Sequence, residues 1–124
     1  ATPRVRLINL QNAAVQLDAL IGSGLDPGEK LPDRLGFPQP RLLIATEGAA
    51  GGTLSPGGRY QASHAPGPSI DSYGCGDSLA AGVTVGLAAG MEVRDAIRLG
   101  ADAGAACSTW IGPYSHTKTN FGPV

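Results

Sequence analysis

The sequence predicts an α/β fold, and three observations carry that reading. Two short, largely apolar segments, Leu17–Gly22 and Arg41–Thr46, have the composition of buried parallel strands. Each runs into a stretch rich in glycine or proline, where a chain turns. Two later segments built largely from alanine and glycine carry helical patterns suited to close packing. Together they imply part of a doubly wound layer: a mostly parallel sheet flanked by helices.

The elements follow in order. Arg4–Gln16 reads as a helix, with Val5, Ile8, Ala13 and Val15 forming a weak apolar face. Leu17–Gly22 is the first strand. Ser23–Pro40 contains Asp-Pro, Leu-Pro, Phe-Pro and Gln-Pro pairs, and each proline moves its predecessor away from the helical region. This segment is loop with at most one helical turn. Arg41–Thr46 is the clearest strand and ends in the glycine turn Glu47–Gly52. Thr53–Ala65 is polar and turn-broken, which fits a hairpin around Gly57-Gly58. Gly76–Ala89 reads as a helix capped by Gly90. Within it Gly82, Gly86 and Gly90 recur at every fourth position as a flat stripe for close contact. A last helix spans Glu92–Cys107, with Val93, Ile97, Gly100, Ala101 and Gly104 on one side.

Composition excludes several classes. A chain of 124 residues is long enough for one domain with a core. Its net charge of −1 and 15% charged residues argue against a nucleic-acid or basic membrane-binding face. Cys75 and Cys107 lack metal-ligand spacing, so neither a disulfide framework nor a zinc site is expected. No apolar run is long enough to span a bilayer, and Ala1-Thr2-Pro3-Arg4 does not open a secretory signal. A cytoplasmic protein without nucleic-acid or membrane partners is the expectation.

The most informative stretch is Asp71-Ser72-Tyr73-Gly74-Cys75-Gly76-Asp77-Ser78. Two glycines bracket one small residue, and a carboxylate follows where a helix begins. Backbone N–H groups at a helix start lack intrahelical partners, and the dipole adds positive potential there. Gly74 and Gly76 let an anion approach the backbone, and Asp77 stands ready to take a proton from a nearby hydroxyl. An anion cradle beside a carboxylate base suits phosphoryl transfer to an alcohol. A lone Gly-x-Gly-Asp is also what an ordinary turn before a helix-capping aspartate looks like. The order of segments strengthens the sharper reading: an apolar strand, Thr46-Glu47-Gly48-Ala49-Ala50-Gly51, a polar hairpin, this motif, then two small-residue helices. Cys75 at a helix start invites a reactive-thiol reading. Neither His64 nor His116 is placed near it by sequence, so it reads as a small residue. Arg41, Arg59 and Lys118 read as solvated surface.

This arrangement resembles the C-terminal half of ribokinase/PfkB-type carbohydrate kinases, which carry D-T-x-G-A-G-D about one hairpin after T-x-G-x-x-G. Asp71, Gly74, Gly76 and Asp77 match, while Ser72 and Cys75 replace threonine and alanine. Ser23 and Asp26 are shortened versions of the family's N-x-x-E pair after a strand, and 105–113 resembles the turn closing the nucleotide pocket. The resemblance covers about Leu17 to Pro113. It implies ATP-dependent phosphorylation of a sugar or related small alcohol, with Asp77 as general base and the Gly74, Cys75 and Gly76 amides stabilising the transferring phosphoryl. Thr46, Gly48, Gly51, Ser23 and Ala101 would bind the nucleotide. Mg²⁺ would arrive with ATP near Asp26 and Glu29. A potassium-type ion would lie near Asp71, Tyr73, Cys107 and Gly112. The family's N-terminal sugar-binding part and β-lid have no counterpart in these residues, which form a single C-terminal segment. The isolated chain is therefore expected to be inactive and to associate with a companion polypeptide or a second copy. A non-catalytic nucleotide-binding module, or a structural remnant that self-associates, is the alternative.

Overall fold

A computed structural model describes residues 3–111, with side chains from Arg6 onward. The chain divides between Gln61 and Ala62 into two compact units. Gly112, His116 and Lys118 lie outside the described residues.

The first unit opens with helix α1 (Pro3–Ala13), which stops short of Gln16 because Ala14 turns to a φ of 51°. Four strands follow: β1 (Leu20–Ser23), β2 (Leu43–Thr46), β3 (Gly52–Ser55) and β4 (Gly58–Tyr60). Their spatial order is the same as their chain order. β1 and β2 run parallel, with Leu20 opposite Leu43 and Ser23 opposite Thr46. β2–β3 and β3–β4 are antiparallel. The sheet is thus mixed rather than mostly parallel. The physical reason lies in the turns: Glu47–Gly51 and Pro56–Gly57 are too short for the crossover that parallel neighbours require.

Pairing begins before the regular part of β1. Leu17 O accepts from Arg41 N–H at 3.0 Å, and Leu20 N–H donates to Leu42 O at 2.9 Å. Gly22 does not end the strand, which continues to Ser23. The single helical turn expected in the proline-rich loop is a 3₁₀ turn at Pro27–Glu29. Leu35, Leu42, Ile44, Leu54 and Tyr60 are buried, whereas β1 is half-buried along its length. Gln11 Nε2 donates to Leu35 O at 2.9 Å and ties α1 to the loop. The phenol end of Tyr60 lies over Gly52, where an added Cβ would come within 2.6 Å of it. The Tyr60 hydroxyl is buried without a hydrogen-bond partner among the described residues. Burial, and then the Glu47 charge, pushes its pKa up.

The second unit holds α2 (Cys75–Ala88) and α3 (Val93–Cys107). Leu79, Val83, Ala96, Ile97, Ala101 and Cys107 form its core, with Val83 and Cys107 fully enclosed. Enclosing a Val or Ile side chain contributes about 1.5–3 kcal/mol. Val93, expected on the packed side of α3, is exposed. The glycine stripe serves two purposes. A Cβ on Gly82 would lie 2.7 Å from Gly100 Cα, and one on Gly86 would lie 2.8 Å from Ala96 Cα. Gly90 meets nothing. It adopts a φ of 79° and ends α2, its N–H donating to Leu87 O and Met91 N–H to Gly86 O. These two bonds satisfy carbonyls at the helix end in a Schellman motif.

The approach of α2 and α3 yields a stability prediction. A Cβ on Gly100 would sit 2.6 Å from Leu79 O and from Val83 Cγ2, and the carbonyl cannot move aside. Gly100→Val is expected to destabilise the chain by about 1–3 kcal/mol. Gly76→Ala, at a position with open space, should stay within about 0.5 kcal/mol of the parent. Thermal unfolding of both variants measures the difference, and equal midpoints would contradict the packing described.

Candidate functional site

In the first unit the parallel pairing of β1 and β2 brings their carboxyl ends together. Register places Ser23, Thr46, Gly52 and Tyr60 in one row across the sheet. Just beyond β1, Ser23 N–H donates to Glu29 Oε2 at 2.6 Å. Ser23 Oγ accepts from the Leu25 and Asp26 amides, and Asp26 Oδ1 accepts from Gly28 N–H at 2.8 Å. The side chains of Ser23, Asp26 and Glu29 thus brace one tight loop. Thr46 joins them: its carbonyl accepts from Gly24 N–H at 2.8 Å, and its Oγ1 donates to Gly22 O.

The glycine turn after β2 is a 3₁₀ turn at Gly48–Ala50. Gly48 (φ 59°) and Gly51 (φ 86°) take left-handed conformations that L side chains rarely adopt, and open space surrounds Gly48 where a Cβ would point. Arg59 fastens this turn, pairing with Glu47 at 2.6 Å and donating to Ala50 O at 3.2 Å. Arg59 is therefore engaged rather than simply solvated. Its hydrogen bond holds the Glu47 carboxyl below the usual range and raises the guanidinium. Sequence reasoning missed this pair because only the hairpin register, with Arg59 opposite Thr53, turns Arg59 toward Glu47.

The second unit carries the Asp71–Ser78 motif. Ile70 and Asp71 N–H both donate to Ser108 O, so the start of the motif hangs on the end of α3. Asp71 Oδ1 accepts from Tyr73 N–H at 3.0 Å. Cys75 N–H donates to Ser72 O at 3.2 Å, closing a type II turn with Gly74 (φ 81°, ψ −1°) at its third position. One expectation changes here. The Cys75 amide closes this turn and does not face a ligand. The Gly74, Gly76 and Asp77 amides have no acceptor among the described residues, because Ser78 N–H, to Gly74 O, makes the first helical bond. A Cβ on Gly76 would meet nothing within 4 Å. Asp77 is exposed in the first turn of α2 and has no partner among the described residues. Ala101 is buried on the packed side of α3.

Two sulfurs sit beneath this turn. Cys75 Sγ donates to Asp71 O at 3.8 Å, and Cys107 Sγ donates to Tyr73 O at 3.6 Å. Burial, followed by the neighbouring Cys107 thiol and the charge of Asp71, pushes the Cys75 thiol up to about 11. It is not a reactive thiolate.

The cation expectations fare differently. Among the described residues no three His, Cys, Asp or Glu side chains gather to hold a metal. Asp26 and Glu29 lie in one loop, an arrangement that fits a Mg²⁺ carried in on phosphates and largely hydrated. Among the described residues, the carbonyls expected to hold a monovalent ion are engaged by protein donors. Asp71 O and Tyr73 O accept thiol protons, and Cys107 O accepts from Trp110 N–H at 3.1 Å. The Thr46–Gly51 turn and the Gly74–Asp77 turn belong to different units. No helix among the described residues is long and apolar enough to cross a membrane.

Comparison with known proteins adds to this geometry. The family model of pfkB family carbohydrate kinases matches residues 17–120. The acarbose 7(IV)-phosphotransferase of Actinoplanes sp. is 39% identical over 74 residues, which are 56% of this chain and 25% of that protein. The nucleoside kinase of Burkholderia thailandensis, solved in complex with inosine, aligns at 32% identity and a TM-score of 0.55. That alignment covers 60% of this chain and 25% of the kinase. A probable sugar kinase from Rhizobium etli covers 94% of this chain and 37% of its own, with a TM-score of 0.69 at 19% identity, a likeness of fold. The chain spans about a quarter of the length of the curated relative it matches.

The raised thiol gives a prediction with a definite sign. A shift from 9.0 to about 11 lowers the thiolate fraction near neutral pH about 100-fold. Cys75 should therefore react with iodoacetamide about 100-fold more slowly than free cysteine, as followed by intact mass. The folded state holds this proton more tightly, so its contribution to stability is complete below pH 9.0 and is lost as pH rises toward 11. Alkylation as fast as that of free cysteine would contradict the half-buried, neutral thiol.

Proposed function

The chain belongs to the pfkB family of carbohydrate kinases, and on that footing we propose that it is the phosphate-handling part of an enzyme transferring a phosphoryl group from ATP to a hydroxyl of a sugar, nucleoside or related small alcohol. One observation carries the reading. Left-handed Gly74 turns the chain so that the Gly74, Gly76 and Asp77 amides stand open at the start of α2, beside an unpaired carboxylate and an unfilled space over Gly76. Amides at a helix start favour anions through both their hydrogens and the dipole.

In this reading the amides hold the γ-phosphoryl oxygens and stabilise the charge that spreads over them during transfer. Asp77 accepts the acceptor's hydroxyl proton while that oxygen bonds to the γ-phosphorus and the bond to the ADP oxygen breaks. Thr46, Gly48 and Gly51 in the first unit serve the nucleotide, their turn fixed by Arg59. Mg²⁺, held by the phosphates and reached by Asp26 and Glu29 through water, would neutralise phosphate charge. Residues that select the acceptor belong to the part of such a kinase that this chain does not span.

Two outcomes test this. Gly76→Val fills the open space, so it should remove the rise in melting temperature produced by ADP while leaving the unliganded midpoint nearly unchanged. An unaltered ADP response would place the nucleotide elsewhere.

In the kinase completed by its remaining residues, Asp77→Asn should keep nucleotide affinity and lose about 10²–10⁴-fold in kcat. Loss of binding together with turnover would make Asp77 a helix cap and not the base. The 124-residue chain alone should bind ADP yet release none from ATP when offered sugars or nucleosides in a coupled assay.

A further inference from the structure

We infer that the Cys75 and Cys107 thiols position the phosphate-binding turn of this chain and take the carbonyl oxygens on which a monovalent cation would depend, so that nucleotide binding here needs no such cation. The inference rests on the reading of Gly74–Asp77 as the phosphate site.

The geometry is specific. Cys75 is the first residue of α2 and Cys107 the last of α3. Close packing of the two helices brings both sulfurs beneath the turn formed by Asp71–Gly74. Each donates to a different carbonyl of that turn, Cys75 Sγ to Asp71 O at 3.8 Å and Cys107 Sγ to Tyr73 O at 3.6 Å. The start of one helix and the end of the other thus meet under one turn. Cys107 is completely enclosed, and the tether cannot be replaced by water.

A dehydrated alkali cation needs several carbonyl oxygens turned toward it to replace its hydration shell. Among the described residues the candidates are occupied by protein donors. Asp71 O and Tyr73 O face sulfur, Cys107 O accepts from Trp110 N–H, and Ser108 O accepts from both Ile70 and Asp71. Together these hydrogen bonds orient the amides of Gly74, Gly76 and Asp77. Thiols are weak donors, but Cys107, fully enclosed, has no competing solvent. Cys107 is thus a positioning residue: it touches no ligand and acts through the Tyr73 carbonyl.

The test needs the native chain first. ADP affinity measured at equal ionic strength in potassium, sodium and tetramethylammonium chloride should agree within about twofold, and a tenfold advantage in potassium would overturn the inference. Cys107→Ala should weaken ADP binding about tenfold in every salt, whereas Cys107→Ser, which keeps a donor, should recover most of it. Affinity unchanged in Cys107→Ala would also overturn it. A second readout is independent of nucleotide. The melting temperature of the unliganded native chain should be the same in potassium and tetramethylammonium salts, and a potassium-specific rise would overturn the inference even if ADP bound in none of them. Absence of ADP binding in all salts, with equal melting temperatures, would remove the nucleotide reading and leave the cation-free corner standing.

Discussion

Two helix backbones can come into contact only where no Cβ stands between them, and α2 and α3 do so along their whole length. Gly86 faces Ala96, Gly82 faces Gly100, and Gly104 lies against the Cys75 carbonyl, where an added Cβ would be 3.1 Å away. This antiparallel ladder of small residues fixes the sliding register of one helix on the other. Because the register is fixed, the start of α2 and the end of α3 meet, and Cys107 reaches the turn that precedes Cys75. The open amides of Gly74, Gly76 and Asp77 are therefore held from below by packing that lies well away from them. A side chain at Gly82, Gly86 or Gly100 would disturb the ladder and so the Gly74–Asp77 turn without touching it.

The first unit reaches a comparable result with hydrogen bonds instead of packing. One parallel strand pair sets Ser23 beside Thr46, and the loops leaving both strands are then braced side chain to backbone. Ser23, Asp26 and Glu29 each satisfy amides of their own loop. Arg59, arriving from the hairpin, holds the Glu47–Gly51 turn from outside. That ion pair is exposed on the arginine side, so its value lies in orienting the turn more than in stability.

Much of this was legible in the residues. Uniformly apolar runs announced β2 and most of β1, and the small-residue periodicity announced both helices within a residue or two. The Asp71–Asp77 motif, with the segments around it, announced the family. What sequence did not convey was long-range register. The antiparallel return of β3 depends on how tightly Glu47–Gly51 turns, which composition does not specify. Arg59 meets Glu47 only because of the hairpin register, and Cys107 meets Tyr73 only because of the helix ladder. The same ignorance of register made the Cys75 amide look available, although it closes the turn on Ser72. Glycines were the hardest to interpret singly: Gly82 and Gly90 belong to one four-residue pattern, yet one is for packing and the other ends a helix.

The two glycines of the motif illustrate the same point at closer range. Gly74 occupies a φ of 81° and Gly76 an ordinary helical one, with unfilled space beyond it. The requirement at position 74 is one of handedness, and a D-residue would meet it where no L-residue does so comfortably. The requirement at position 76 is one of volume, indifferent to chirality in the backbone and sensitive only to what projects from it. A mirror-image alanine at 74 would therefore stiffen the turn in the shape it already has. One letter, written twice with a single residue between, encodes a backbone constraint the first time and a clearance the second.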